Sequence, residues 1–496
     1  MSRLDAGAAR ERITPPVGVE LCGYGVFLGR RSHGVHDELF CRALVVGDGE
    51  TRIAILANDL VGVSRALSER VRHEVEISTG IPRDNVVVTA THTHSGPAVP
   101  FLRGWGEIDP AYLETLPGKM AMAAVRASSR LRPARIAVGR GALAGVGYNR
   151  ADREKPIDPE VAVLQVATAE GDAIATLFSF ACHPVMVDYR TDEGRLISAE
   201  YPGHVEQLLE NSHPGSIGMF LQGACGDINP HDVWKGFSRV EALGESLAGE
   251  VMRILGGTRD VLGGARDVSG GAKEGPEAMP DVPGEADGAP GNSGDILPGT
   301  RDMPAPLAYP ASPFSTASRP SAMRNRAERV GALQMERRLV GLPLQLPSLD
   351  EMRQAASDKR QLLREFPPED NSEDARWARF YAPWSEQMAG KLGAGPTPEM
   401  VQEIQAMRIG EVALVFLPGE VFCEFGMEIK ERSPFDATVV VGYANDFPGY
   451  IPSHREFEVG AYSAHMVPKI CGNFPFRPDV GAVLCDAAVG ALGALA

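Results

Sequence analysis

The sequence predicts a mixed α/β fold: one large catalytic domain interrupted by an insertion, with a metal site at the carboxyl ends of its strands. Three observations carry this. Short apolar runs alternate with amphipathic stretches, as when Arg52–Ala57 (RIAILA) gives way to Leu67, Val71 and Val75 at helical spacing and Asn85–Ala90 (NVVVTA) returns to an extended pattern. The composition is that of a globular chain, 44% hydrophobic and 23% charged over 496 residues. Gly, Pro, Asp, Ala and Ser crowd one segment, 256–322, with few aromatics and no helical or strand period. That segment cannot bury enough apolar surface to offset the entropy of ordering, so a disordered insertion is expected between a first part, 1–255, and a second part, 323–496.

In chain order, strands are expected at Arg52–Ala57 and Asn85–Ala90, with a helix over Ser64–Ile77 between them. This βαβ-like rhythm suggests strands buried under helices. Pro110–Arg130 and Val240–Leu255 read as helices, and Arg135–Val138, Val161–Val166, Ala173–Phe180 and Ile217–Leu221 as strands. After the insertion, helices are expected at Ala327–Val340 and Leu349–Leu363, followed by a charged stretch through Lys391. Glu403–Arg408, Glu411–Leu417 and Ala437–Val441 are strand-like, and the apolar run Asp479–Leu495 suits a closing helix.

Composition also excludes. The formal charge of -16 argues against a protein that tracks nucleic-acid phosphates. Seven cysteines, odd in number and without CxxC spacing, point to reduced thiols rather than a disulfide scaffold. The first dozen residues carry no apolar h-region, and no run of 18 apolar residues occurs, so neither a signal peptide nor a membrane span is expected. A cytoplasmic protein without integral membrane contact is the expectation; its oligomeric state is left open.

The chemistry collects where strands end. Thr91-His92-Thr93-His94-Ser95-Gly96-Pro97 follows the strand at 85–90, and in extended chain His92 and His94 would face the same side. Such a pair offers two imidazoles to one metal, or one to a metal and one to a substrate proton. Four further strands run into polar turns that carry His183, Asp227, Glu420 and Tyr450. Each has a plain alternative: a turn histidine before Pro184, a Pro-Gly-Glu turn at 418–420, a half-buried aromatic at 450. Their joint arrival at strand ends, where α/β sheets bind ligands, favours a metal site. Cys182 and Cys225 lack thiolate-promoting neighbours and read as packing residues.

Several collinear segments resemble the neutral/alkaline non-lysosomal ceramidases. They are Ile13–Pro16 with Leu21–Tyr24, Thr91–Pro97, Tyr148–Arg150, Ala181–Pro184, Gly223–Pro230, Leu417–Glu420 and Gly442–Ile451. The resemblance implies one Zn²⁺ per chain, bound by His92, His183, Glu420 and Tyr450. It further implies catalytic roles for His94, as acid/base or hydrogen-bond donor, and for Arg150 and Tyr462, lining the site where negative charge develops on a carbonyl. Two departures bear on function. The family's serine pair is matched by Gly223-Ala224, with no serine between Phe220 and Pro230, so a covalent serine route is not expected and metal-activated water is. There is also no room after the matched segments for the family's C-terminal immunoglobulin-like domain. The expected activity is zinc-dependent hydrolysis of a small-molecule N-acyl amide, with ceramide one candidate. An esterase or lactonase on the same zinc site and a non-catalytic zinc- or acyl-ligand-binding protein are the alternatives.

Overall fold

A computed structural model describes residues 4–257, 259–260 and 333–496. Most of the expected insertion, 261–322, therefore lies outside the described residues. Its described beginning includes a two-residue strand, Arg259–Asp260.

The larger sheet has nine strands. Eight are β1 (Leu4–Arg12), β2 (Phe40–Gly47), β3 (Arg52–Asn58), β4 (Val86–Ala90), β5 (Arg132–Ala142), β6 (Glu160–Thr168), β7 (Ala173–Phe180) and β8 (Ile217–Gln222). They lie in the order β8-β7-β6-β5-β1-β2-β3-β4, with Arg259–Asp260 paired to β5. A second sheet of four strands, β9 (Leu333–Pro343), β10 (Glu399–Ile409), β11 (Val412–Phe416) and β12 (Ala437–Val441), runs in that order. Three neighbouring pairs are parallel, β3 with β4, β7 with β8, and β11 with β12. The residues that carry the site follow four strands of these pairs.

The two sheets pack face to face. One apolar cluster joins Leu44, Ile55, Val87, Leu177 and Met219 of the first to Met407, Leu414, Phe416 and Val441 of the second, with no helical residue in it. Helices α1 (Arg65–Thr79), α2 (Pro110–Ser128), α3 (Glu200–Ser212) and α4 (Phe237–Leu255) cover the outer face of the larger sheet. The second sheet is covered by α6 (Glu373–Gly393), α7 (Cys423–Arg432) and α8 (Val480–Ala494), with α5 (Leu349–Leu363) packed on α6. The order of layers is helix, sheet, sheet, helix. The expectation of strands buried under helices is corrected in this respect: a fully apolar strand needs cover on both faces, and here one cover is another sheet.

Local signals explain the element ends. Ser64 caps α1 by accepting from Leu67 N, and Gly80 ends it at φ 74°, where a side chain would be strained. Ser348 and Glu351 form a reciprocal capping box on α5. The helix expected over Ala327–Val340 is corrected: residues from Leu333 form β9, the edge of the second sheet, whose exposed face carries Arg337 among half-buried neighbours. Among the described residues no helix is long and apolar enough to cross a membrane.

Candidate metal centre

The site lies where the two sheets present their carboxyl ends to each other. His92 follows β4, His183 follows β7, Glu420 follows β11 and Tyr450 follows β12. Glu420 and Tyr450 are direct partners in a short parallel bridge, Glu420–Val421 with Tyr450–Ile451, which sets their side chains side by side.

His92 and His94 do converge, but not by strand alternation. The strand stops at Ala90, and His92 sits in a turn at φ 69°. Positive φ is uncommon for any residue but glycine, and such strain concentrates at functional sites. Tyr443 (φ 55°) and Asn445 (φ 64°) share it, and the Tyr443 ring stacks on His92 with centroids 4.1 Å apart. Asn445 ties its own turn to β4, donating its N–H to Val88 O at 2.7 Å and accepting Val88 N–H on Oδ1 at 3.0 Å.

Hydrogen bonds fix which nitrogens face inward. His92 Nδ1 lies 2.6 Å from Val61 O and His183 Nδ1 3.0 Å from Ile228 O. Each carbonyl takes a proton from Nδ1 and turns Nε2 toward the site. Those two Nε2 atoms stand 3.3 and 3.2 Å from Glu420 Oε2. Glu420 Oε2 thus stands from each nitrogen at the roughly 3.3 Å separation that ligands about 2.0–2.1 Å from a tetrahedral zinc have from one another. The donor set fits a divalent cation. Burial, together with Arg150, pulls His183 down to about 3, so it is neutral and ready to ligate.

Tyr450 lines the same space. Its hydroxyl accepts from Arg150 Nη2 at 2.5 Å, and that nitrogen also donates to Gly226 O at 2.7 Å. Burial pushes the phenol above its ordinary range, against the pull of Arg150, so a neighbouring cation is what would ionise it. His94 Nε2 lies 3.1 Å from His92 Nε2. The Nδ1 of His94 is buried against Gly23 without a partner. Gly23 is required there: at φ 107°, a Cβ would stand 2.6 Å from the His94 ring. Burial and the neighbouring His92 and His183 hold His94 well below its usual basicity. Among the described residues, the ligand atoms of His92, His94 and His183 all lie within 4.8 Å of one another. Tyr462 opens a short helix, Tyr462–His465, and lines the same pocket as His92, His94, Glu420 and Tyr450.

Asp227 differs from the sequence expectation. Its carboxylate does not join the site but takes Asn149 Nδ2 at 2.6 Å and Cys423 N at 2.7 Å, and its carbonyl takes Arg150 N at 2.7 Å. It braces the segments carrying Arg150 and Glu420. Burial pushes it up to about 6. The cysteines beside the motifs behave as expected: burial pushes the Cys182 and Cys225 thiols up, away from thiolate. A Cβ on Gly223 would meet Ala181, and Ala224 packs against Gly426 of α7.

Three supporting residues gave no sequence signal. Gln222, at the end of β8, donates Nε2 to Thr91 O at 3.2 Å and Cys182 O at 3.0 Å, joining the loops of His92 and His183. Arg30 is buried and donates to the carbonyls of Cys22, Gly194 and His94. Glu200, at φ 54°, accepts from Ser95 Oγ at 3.2 Å and Met186 N at 3.0 Å.

Residues 5–235 match the family profile described as neutral/alkaline non-lysosomal ceramidase, N-terminal. His92, His94, Arg150 and His183 fall inside this stretch; Glu420, Tyr450 and Tyr462 lie beyond it. The neutral ceramidase of Drosophila melanogaster is 25% identical over 255 residues, 45% of this chain and 36% of its own length. That of Pseudomonas aeruginosa is 26% identical over 237 residues, 43% of this chain and 35% of its own. The chain thus spans about a third of the length of the curated relatives it matches. The crystal structure of the Pseudomonas aeruginosa neutral ceramidase superposes with a TM-score of 0.67 at 19% identity, covering 100% of this chain and 75% of that one. The resemblance to the neutral/alkaline non-lysosomal ceramidases therefore holds over residues 5–235, and the fold of a solved neutral ceramidase extends over the whole chain.

Proposed function

We propose that the protein is a zinc-dependent hydrolase of N-acyl amide bonds, holding one Zn²⁺ with His92, His183, Glu420 and Tyr450. The observation that carries this is the meeting of two imidazole nitrogens, His92 Nε2 and His183 Nε2, with one carboxylate oxygen of Glu420, all three residues buried. Bound there, zinc would polarise the amide carbonyl and lower the pKa of a water toward neutrality. The chain's own groups do the rest. His94, neutral by burial, offers its Nε2–H to oxygen or nitrogen where charge develops. Arg150 keeps a fixed positive charge beside Tyr450, and Tyr462 lines the pocket that the substrate enters.

Similarity to proteins named neutral ceramidases supports an amide of a lipid as substrate, ceramide among the candidates. A single catalytic domain interrupted after about residue 255 is supported by a core in which Phe380, Cys423 and Tyr443 join residues of the first part. A reducing, cytoplasmic location is supported by seven free cysteines. The test is metal content together with turnover of N-acyl amides. His92→Ala and His183→Ala should each lose zinc and activity together, whereas His94→Gln should keep the zinc and lose about 10²–10³-fold in kcat. Full zinc in the two alanine variants would refute the site.

A further inference from the structure

We infer that Tyr443 is a positioning residue of the metal centre: its ring fixes the plane of the His92 imidazole, and the turn that carries it ties the His92 strand to the Glu420 segment. The inference rests on the metal reading above and concerns a residue outside the proposed ligand set.

His92 needs such a support. The outermost torsion of a histidine is broad, so the one bond from Nδ1 to Val61 O, at 2.6 Å, holds the ring plane only loosely. The Tyr443 ring covers a face of the imidazole, with 4.1 Å between centroids and 29° between planes. Tyr443 is fully buried, and its hydroxyl lies 3.1 Å from Cys225 Sγ, so the covering ring is itself held at its far end. Tilting toward that face is blocked, and His92 Nε2 stays 3.3 Å from Glu420 Oε2.

The backbone is strained at the same place. Six non-glycine residues among those described have positive φ, and three of them, His92, Tyr443 and Asn445, meet at this contact. A bulky residue at φ 55° persists only where its surroundings over-determine it. Here they do. The strand that runs into His92, β4, ends the larger sheet, and the turn takes its outward groups. Ala90 N donates to Tyr443 O at 3.2 Å, Asn445 N to Val88 O at 2.7 Å, and Val88 N to Asn445 Oδ1 at 3.0 Å. On its other side the turn bonds the segment leading to Glu420: Tyr443 N donates to Gly419 O at 3.1 Å and Ala444 N to Leu417 O at 3.0 Å. Asn445 Nδ2 donates to Gln405 Oε1 of β10 at 2.8 Å. Arg72 of α1 donates to that same oxygen at 3.0 Å and to Val86 O at 2.9 Å. These bonds close a ring from Val86 through Arg72, Gln405 and Asn445 to Val88, which clamps the turn on β4.

Tyr443→Phe keeps the ring over His92, whereas Tyr443→Leu removes it. Metal-free crystals should show His92 Nε2 unmoved in the Phe variant. In the Leu variant it should shift by more than the roughly 0.5 Å that a preorganised site tolerates. Zinc competition against a chelator, on folded protein, should read about 10–100-fold weaker binding for Tyr443→Leu and under about 3-fold change for Tyr443→Phe. A residue that only fills the core would lower the stability of the Leu variant and leave both readings unmoved. Wild-type zinc affinity in folded Tyr443→Leu, an unmoved His92 in its crystals, or a Phe variant as weak as the Leu one overturns the inference. If Tyr443→Leu does not fold, Asn445→Gly decides, since it permits the left-handed backbone and removes the side chain that clamps the turn. A displaced His92 with weaker zinc binding supports the inference there; either reading unchanged overturns it. Should the unaltered protein bind no zinc, the metal reading fails, and the position of His92 in the metal-free crystals alone judges Tyr443.

Discussion

Gln222 couples the two histidine loops, and replacing it with methionine tests whether the coupling matters. Methionine keeps a similar length and removes every hydrogen bond of the amide. In the intact protein Gln222 Nε2 reaches Thr91 O and Cys182 O, while Oε1 accepts Gly223 N at 3.1 Å. Cys182 O keeps a second donor, the Tyr201 hydroxyl at 2.6 Å, and Gly223 N keeps Phe180 O at 3.1 Å. Thr91 O has no such substitute. Its burial without a partner costs about 1–3 kcal/mol, and the two weakened bonds add roughly 0.5–1.5 kcal/mol each. A loss of about 2–6 kcal/mol in unfolding free energy follows. Because Thr91 precedes His92 and Cys182 precedes His183, both imidazoles lose their fixed spacing, and zinc affinity should fall about 10–100-fold, as for other supports of metal ligands. Denaturant unfolding of the metal-free protein gives the first quantity, and zinc competition against a chelator the second. Wild-type stability together with wild-type zinc affinity in Gln222→Met would refute the coupling. A loss of stability alone would make Gln222 a purely structural residue.

Glu200 predicts a pH dependence. Burial raises its carboxyl from an ordinary 4.5 to about 8, so between those values the folded chain holds a proton that the unfolded chain has lost. Its stabilisation is complete below pH 4.5 and drains away as pH rises toward 8, at up to about 1.4 kcal/mol per unit. Glu200→Gln, which imitates the protonated acid, should flatten this decline; an unchanged slope between pH 6 and 8 would contradict it. Arg42 is buried with Nη1 2.8 Å from Asp59 and 2.7 Å from Glu206. Arg42→Met leaves two carboxylates buried without their cation and should cost about 3–5 kcal/mol in chemical denaturation. A loss under 1 kcal/mol would show that the acids are neutral in the folded chain.

Much of this site was legible because each of its side chains follows an apolar run at a polar turn. NVVVTA before the HxH pair and VALVF before Pro-Gly-Glu are legible without any structure. What brings the two histidines together was not, because a left-handed turn at His92 leaves no mark in residue type. Gln222 read as an ordinary polar strand end, since a side chain that joins two distant loops has no local pattern. β1 leaves little mark in the sequence because LDAGAARER buries mainly alanines and glycine, which carry little hydrophobic contrast. β9 resembles a helix in sequence because an edge strand with a half-exposed face mixes Glu336, Arg337 and Arg338 among apolar residues. The second sheet as a cover was also hidden: a continuous apolar run says that both faces are buried, not by what.

The central claim is that one divalent ion sits between His92, His183, Glu420 and Tyr450. The measurement that reaches it most directly is an anomalous difference map from crystals of zinc-loaded protein, collected on both sides of the zinc absorption edge. The account predicts one strong peak within bonding distance, about 2.0–2.2 Å, of His92 Nε2, His183 Nε2 and a Glu420 oxygen. No peak there, or a zinc peak held by other residues, would contradict it.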